Sequence, residues 1–326
     1  RYGILDNAYA KWSNIGDVPL SLSAGRQDVQ FGEPQNWWLV ADGTPGDGSW
    51  TFFLDSIRLN FAAKEIKTTF DVIYIYQNAL PDEWIPTIGR SGGNTLPTGS
   101  SKPYYLTEQN EQGVILYVSK SVKNTQIDGY FIYKRDSQEQ AIRSPYGTAL
   151  GDNADIYTIG GKVSGTPADH WKYSAEGAYQ FGHKQDPMLV NDDLGRSVDR
   201  DISAFGVNAS LTYLFKDRLN NQASLIFEYL SGDDPKTTGK DEMFDILWGR
   251  WPRWSELYIY PYINETGSKI AQFNNTMRIG PSWSLSPMKN MTFSAMYNAL
   301  LADQEVPTRA LTSQQAQFSQ DGIFRG

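Results

Sequence analysis

A transmembrane antiparallel up-and-down β-barrel, an all-β fold, is predicted by three features of the chain: period-two alternation, alternating loop lengths and placement of aromatic residues. Twelve alternating segments are separated by connections that are in turn very short and long. The short ones fall at 13–18, 63–65, 121–124, 164–168, 216–220 and 286–290; the long ones at 28–49, 78–108, 136–152, 183–199, 231–269 and 303–321. Tight turns at one end and long loops at the other are the layout of an outer-membrane barrel. Mean hydropathy is −0.48, and the longest apolar runs, at 72–76 and 114–118, are far below the ~20 residues of a helical span. Only a closed sheet would then satisfy its backbone groups within lipid.

Taken segment by segment, the alternation assigns two faces. In 171–182, Trp171, Tyr173, Ala175, Gly177, Tyr179 and Phe181 point one way, and Lys172, Ser174, Glu176, Ala178 and Gln180 the other. In 274–284, Met277, Ile279, Pro281 and Trp283 oppose Thr276, Arg278, Gly280 and Ser282. The segments 203–213 and 291–301 repeat the pattern. Trp12, Trp50, Tyr76, Trp171, Tyr213, Tyr229 and Trp283 lie near segment ends, where amphipathic rings anchor a barrel at the lipid interfaces. A soluble sandwich or propeller would also alternate, and the loop rhythm is what favours the barrel. At the N-terminal side, Leu20, Leu22 and Ala24 share a parity with Arg26, which places this arginine beyond a bulge near Gly25 or at the rim; Asp55 raises the same question.

The net charge of −8 divides unevenly. The six long loops carry 24 acidic and 11 basic residues, leaving 13 acidic and 18 basic elsewhere, so the loop end is acidic and the remainder basic. Inward charges are Arg58, Lys134, Lys162, Lys172 and Arg278 against Asp71, Glu111, Asp128, Glu176 and Glu228, a balanced set that reads either as a self-neutralising wall or as a track for a charged solute. Asp42, Asp47, Asp152, Asp155, Asp233 and Asp234 are candidate oxygen ligands for a loop Ca2+, with solvated carboxylates the simpler reading and no cofactor otherwise expected. Trp248, Trp251 and Trp254, three apart, fit one face of an interfacial helix slightly better than an inward constriction.

Catalytic chemistry finds no support. The chain has two histidines, His170 and His183, and no cysteine, so neither a zinc set nor a Cys-His nucleophile can be assembled. The string GRSGG at 89–93 lacks the strand-to-helix turn that a nucleophile elbow needs. Asp192 and Asp193 have no evident group to separate their pKa values. A pI of about 4.9 argues against nucleic acid.

Several stretches resemble the alginate-export family of outer-membrane barrels: 22–31 (LSAGRQDVQF), 42–61 (DGTPGDGSWTFFLDSIRLNF), 227–260 and 321–326 (DGIFRG). The resemblance implies an eighteen-stranded monomeric barrel that passes an anionic exopolysaccharide passively through the bacterial outer membrane, with an arginine-rich constriction and gating loops. Onto this chain it places Arg26, Asp55 and Arg58, with Arg250 and Arg253 in the long loop. The expectation is therefore one barrel domain over 1–326, incomplete at one or both ends. It would be a non-enzymatic porin for an anionic polysaccharide or oligosaccharide. The substrate path would run past Arg26, Arg58, Asp71, Lys134, Lys172, Glu176, Glu228 and Arg278, with Arg250, Arg253 and Trp251 at a loop constriction. Expected partners are outer-membrane lipid and lipopolysaccharide, the polysaccharide or small solutes, and a periplasmic secretion partner. A general diffusion porin and a loop-plugged barrel that anchors surface partners are the alternatives.

Overall fold

The computed structural model describes residues 2–3, 7–29, 31, 54–79, 88–89, 109–138, 152–186, 195, 197–248 and 274–304. The principal strands are β2 (Ala8–Ser13), β3 (Leu20–Gln27), β4 (Leu54–Ala63), β5 (Thr68–Gln77), β7 (Gln109–Val122), β8 (Thr125–Gln138), β9 (Asn153–Ala168), β10 (Trp171–Gln185), β11 (Asp199–Leu214), β12 (Gln222–Leu230), β14 (Thr276–Met288) and β15 (Met291–Met296). They form one antiparallel sheet in chain order, each strand paired with its sequence neighbours. Two-residue strands complete the set: β1 (Tyr2–Gly3) pairs β6 (Ile88–Gly89), and β13 (Lys240–Asp241) lies parallel to β11. β16 (Ala299–Ala302) continues along β14. Every short connection sits at one end of the sheet and every long one at the other, as the loop rhythm predicts. No helix among the described residues is long and apolar enough to cross a membrane; the strands are the elements that can.

The two faces separate as the alternation requires. In β5, Phe70, Val72, Tyr74 and Tyr76 are exposed while Asp71, Ile73, Ile75 and Gln77 are buried. In β10, Tyr179 and Phe181 are exposed while Glu176, Ala178 and Gln180 are buried. Large apolar side chains thus lie on the outer face and charged ones inside. Returning each such side chain to water costs about 1.5–3 kcal/mol, so this outer band is stable only against hydrocarbon. Trp12, Tyr76 and Trp171 lie on it near strand ends and Trp283 in the middle of β14; Trp50 falls outside the described residues.

Three details depart from the segment boundaries. The turn expected at 164–168 falls instead at Asp169 and His170: β9 runs to Ala168, and a register shift between Trp171 and Tyr173 absorbs one extra residue of β9 near Pro167. The strand expected over 291–301 is interrupted after Met296, opposite Pro281. Tyr297 donates its N–H to Pro281 O at 3.0 Å, but proline has no N–H to return. No register shift occurs at Gly25 (φ 129°): Ser23 and Gln27 stay on the inner side, their side chains joined at 2.9 Å, while Arg26 stands opposite Asp55 on the parity of Ala24 and Ile57 and is buried at the rim. A Cβ on Gly25 would stand 2.4 Å from Ala8 O, so only glycine fits there.

The inner face is less uniformly polar than expected. Ile73, Ile75, Ile115, Ile132, Ile156 and Ile202 form an apolar patch in its loop-end half, covered by Val29, Phe31, Phe244, Ile246, Leu247 and Trp248. The unbroken apolar runs at 72–76 and 114–118 are the trace of this patch, because a strand buried on both faces loses its alternation.

Candidate functional site

The inner wall has three levels, each written by cross-strand register. Near the tight turns, Lys172, Thr212, Ser224 and Ser282 form one row and Gln126, Ser164, Ser174 and Ser210 another. All of these except Ser282 border a cavity of about 510 Å³. Thr212 and Ser224 share a hydrogen bond of 2.9 Å between their hydroxyls. Lys172 lines this cavity and is exposed, and among the described residues no carboxylate lies within ion-pair distance of it.

Midway, Asp128, Lys162, Glu176, Asn208, Glu228 and Arg278 stand side by side on consecutive strands β8, β9, β10, β11, β12 and β14. All six are buried. Glu176 accepts hydrogen bonds from Tyr130 Oη and Asn208 Nδ2, both at 2.8 Å. Arg278 Nε meets Glu228 Oε2 at 3.2 Å and Nη1 donates to Asn298 Oδ1 at 3.0 Å. Tyr130 reaches Glu176 by crossing Gly160, where a Cβ would stand 2.4 Å from its ring. Of the inward charges read from the alternation, Asp128, Lys162, Glu176, Glu228 and Arg278 are thus neighbours in this belt.

At the loop end, Arg26 pairs with Asp55 through two contacts of 2.9 and 3.0 Å. Nearer the middle of the wall, where Asp71 stands in register with Tyr117 and Tyr130, Arg58 Nε donates to Asp71 Oδ1 at 2.7 Å, and its guanidinium lies 5.7 Å from the centre of the Phe31 ring. Lys134 Nζ faces Asp136 at 3.1 Å, Asp245 at 3.2 Å and Glu111 at 3.7 Å. Arg200 holds Asp233 at 2.7 Å and Asp241 at 3.1 Å, while Lys184 holds Asp152 at 2.9 Å and shares Asp241 at 3.1 Å. Asp233 is thus buried against arginine, which corrects its reading as a solvated loop carboxylate. No cluster of metal-ligating side chains occurs among the described residues.

Most of these contacts serve one segment. After β12, residues 231–248 turn outward, return as β13 beside Asp201 and Ile202, and then dip against the inner wall. Ser231 ties its two limbs, accepting at its carbonyl from Phe244 N–H (3.0 Å) and donating its hydroxyl to Glu242 O (2.6 Å). Gln180 exchanges two hydrogen bonds with the Asp245 backbone, at 2.7 and 2.8 Å. Phe244 packs over Gly206 and Trp248 over Gly113; a Cβ would stand 3.0 Å from the first ring and 2.3 Å from the second. These two glycines are sockets that any side chain would fill. Trp248 therefore belongs to the inner wall, which corrects its assignment to an interfacial helix: at 4% exposure it has no lipid or headgroup contact. Arg250, Trp251, Arg253 and Trp254 lie outside the described residues, as do Asp42 and Asp47.

The electrostatics of the segment follow from its neighbours. Burial works against ionisation of Asp245, but the Lys134 ammonium and the Leu247 N–H outweigh it and hold the carboxyl below its usual range. Asp241 is likewise held low against its burial by Lys184 and Arg200. Asp233 moves the other way: burial and the adjacent Asp241 charge raise it despite Arg200. Two features oppose closure. Leu247 sits at φ 52°, a left-handed conformation worth about 1–3 kcal/mol of strain. Among the described residues, the Trp248 indole N–H has no hydrogen-bond partner.

Register therefore gathers Asp71, Lys134, Glu176, Glu228, Arg58 and Arg278 on one inner face, with Lys172 at its turn end, while Arg26 is buried at the loop-end rim opposite Asp55. Sequence reasoning missed Arg200, Lys184, Asp241, Asp245 and Phe244, and it gave the inward placement of Trp248 only as the less favoured of two readings. A family model described as alginate export matches residues 107–305, more than half of the chain and the whole inward segment. Comparison with curated proteins finds no match.

Proposed function

The chain belongs to the alginate-export family of outer-membrane β-barrels, and on that footing we propose that it is a passive conduit for a sugar polymer, held shut by residues 231–248. The observation that carries this reading is the inward segment itself. Its aromatic side chains sit in glycine sockets on the wall, and its carboxylates close on Lys134, Lys184 and Arg200. A hydrogen-bonded wall of strands is rigid, so movement falls to this segment, and the Leu247 strain favours its release. The turn-end cavity, lined by hydroxyl and amide groups, is the entry for a hydrated chain. A diffusion porin is the weaker reading, since a standing water path does not call for an apolar filler.

Planar-bilayer conductance tests the proposal. The wild type is expected to conduct little, and Phe244→Ala combined with Trp248→Ala to open a pore that added oligosaccharide blocks in proportion to concentration. Steady wild-type conductance without polymer block would instead identify a diffusion porin.

A further inference from the structure

We infer that Tyr117 is a stacking platform for a sugar ring of the transported chain, and that Phe31 occupies this platform in the shut state; the inference takes its ligand from the channel reading above and rests on it. Tyr117 projects from β7 onto the inner face, in register with Asp71 and Tyr130, and is buried. Phe31 lies flat against it, with ring centres 4.2 Å apart and planes inclined by 16°. Other stacked pairs, Tyr133 with Tyr157, Tyr157 with Phe181 and Phe205 with Tyr229, lie on the outer face, where rings meet lipid and its headgroups. A ring on the channel wall offers instead a flat apolar surface inside a polar passage, and the C–H face of a pyranose is the part of a sugar that covers such a surface. Phe31 lies beyond the end of β3 at Gln27 and belongs to no strand. It can therefore withdraw without breaking the sheet, whereas Tyr117 is fixed by the pairing of β7 with β5 and β8.

The edge of the stack carries the polar groups that a sugar ring needs. Arg58 stands 5.7 Å from the centre of the Phe31 ring. Its Nε donates to Asp71 Oδ1 at 2.7 Å, and among the described residues its two terminal nitrogens make no hydrogen bond. They are free to donate to a ring hydroxyl or carboxylate without releasing Asp71, which Asn60 Nδ2 also holds at 2.9 Å. On the other side, the Tyr117 hydroxyl donates to Asp128, and Gln126 Nε2 donates to the same carboxylate at 3.0 Å. A flat apolar body with a few convergent polar groups is the usual composition of a small-molecule subsite. Gln126 also lines the turn-end cavity, so a chain advancing from that cavity meets the platform next.

The test reads block of the opened variant, Phe244→Ala with Trp248→Ala, in a planar bilayer by oligomannuronate, by maltodextrin and by polyethylene glycol of equal length. Adding Phe31→Ala should lower the blocking concentration of at least one of the two saccharides about tenfold, the factor that one freed stacking contact contributes. The ringless polyether should change by less than about twofold. In that background Tyr117→Leu should raise the saccharide's blocking concentration again by about tenfold, while Tyr117→Phe, which keeps the ring, should retain the tight block. Saccharide block unmoved by Phe31→Ala, equal block in Tyr117→Leu and Tyr117→Phe, or polyether block in the same order would overturn the platform while leaving the channel reading in place. Phe31→Leu, which keeps apolar bulk without a flat ring, repeats the comparison should Phe31→Ala fail to insert. Absence of conductance in every variant would overturn the channel reading. Calorimetric titration of the detergent-solubilised Phe31→Ala protein with the same saccharides then decides the platform separately: binding heat that Tyr117→Leu abolishes supports it, and absence of heat overturns it.

Discussion

The turn-end and loop-end halves of the inner wall are built on the same strands yet hold their polar groups differently. Toward the turns, Ser174, Ser210, Thr212 and Ser224 border open space, and Lys172 has no carboxylate within ion-pair distance among the described residues. Toward the loops, cations and carboxylates interlock, isoleucines replace serines, and residues 231–248 fill what remains. Small neutral side chains leave the first half ready to exchange contacts with a passing solute. In the second half, buried ion pairs make any exchange costly unless the whole segment leaves, since a buried charge stripped of its partner is penalised heavily. A vestibule and a latch can thus share one sheet, divided by the belt from Asp128 to Arg278.

Several substitutions would break or sharpen that contrast. The largest effect is expected from Lys134→Met, which strands Glu111, Asp136 and Asp245 without a cation. The latch should lose about 3–5 kcal/mol, seen as raised conductance and a lower melting temperature in detergent, whereas an unchanged pore would deny Lys134 its role.

Gly206→Leu comes next. Its side chain would occupy the position of the Phe244 ring, and overpacking of about 1–3 kcal/mol should expel the aromatic and open the pore. The wall itself should fold normally, as judged by heat-shifted gel migration.

Acidification should act more gently. Asp241 and Asp245 are held below the usual carboxylate range in the latched state. Their contribution is therefore full above the free carboxylate value of about 4 and is lost as pH falls through the depressed latched values. Asp233, raised on latching, works in the opposite sense and offsets part of this. Conductance recorded from pH 7 downward should stay low until about pH 4 and then rise. Asp245→Asn should flatten the rise.

Lys172→Ala should do least, because no ion pair is removed. Stability should hold within about 0.5 kcal/mol, while in an opened pore the potassium-to-chloride permeability ratio should rise by a small step. A marked loss of stability would show that Lys172 has a structural role after all.

How much of this could be read in advance differs between wall and latch. Strand faces, the order of tight and long connections, and the partners Glu228 with Arg278 or Arg58 with Asp71 follow from period-two alternation, because an up-and-down meander brings each strand against its sequence neighbours. The inward path of 231–248 did not follow. Asp245 lies 111 positions from Lys134 in the chain, and neither periodicity nor composition links two residues so far apart. The apolar runs at 72–76 and 114–118 were the one local sign that something covered the inner wall, and they did not say what. Gly113 and Gly206 read as ordinary strand glycines until the aromatic rings above them are seen.

What the chain determined by itself is therefore local and repetitive: a sheet with an apolar exterior, a charged interior and all its turns at one end, since alternation and turn chemistry act over a few residues. Tertiary structure decided which loop enters the lumen, which charges it captures and which half stays open. Those outcomes depend on shape and on long-range pairing within a confined space, where one ring in one socket excludes every other arrangement.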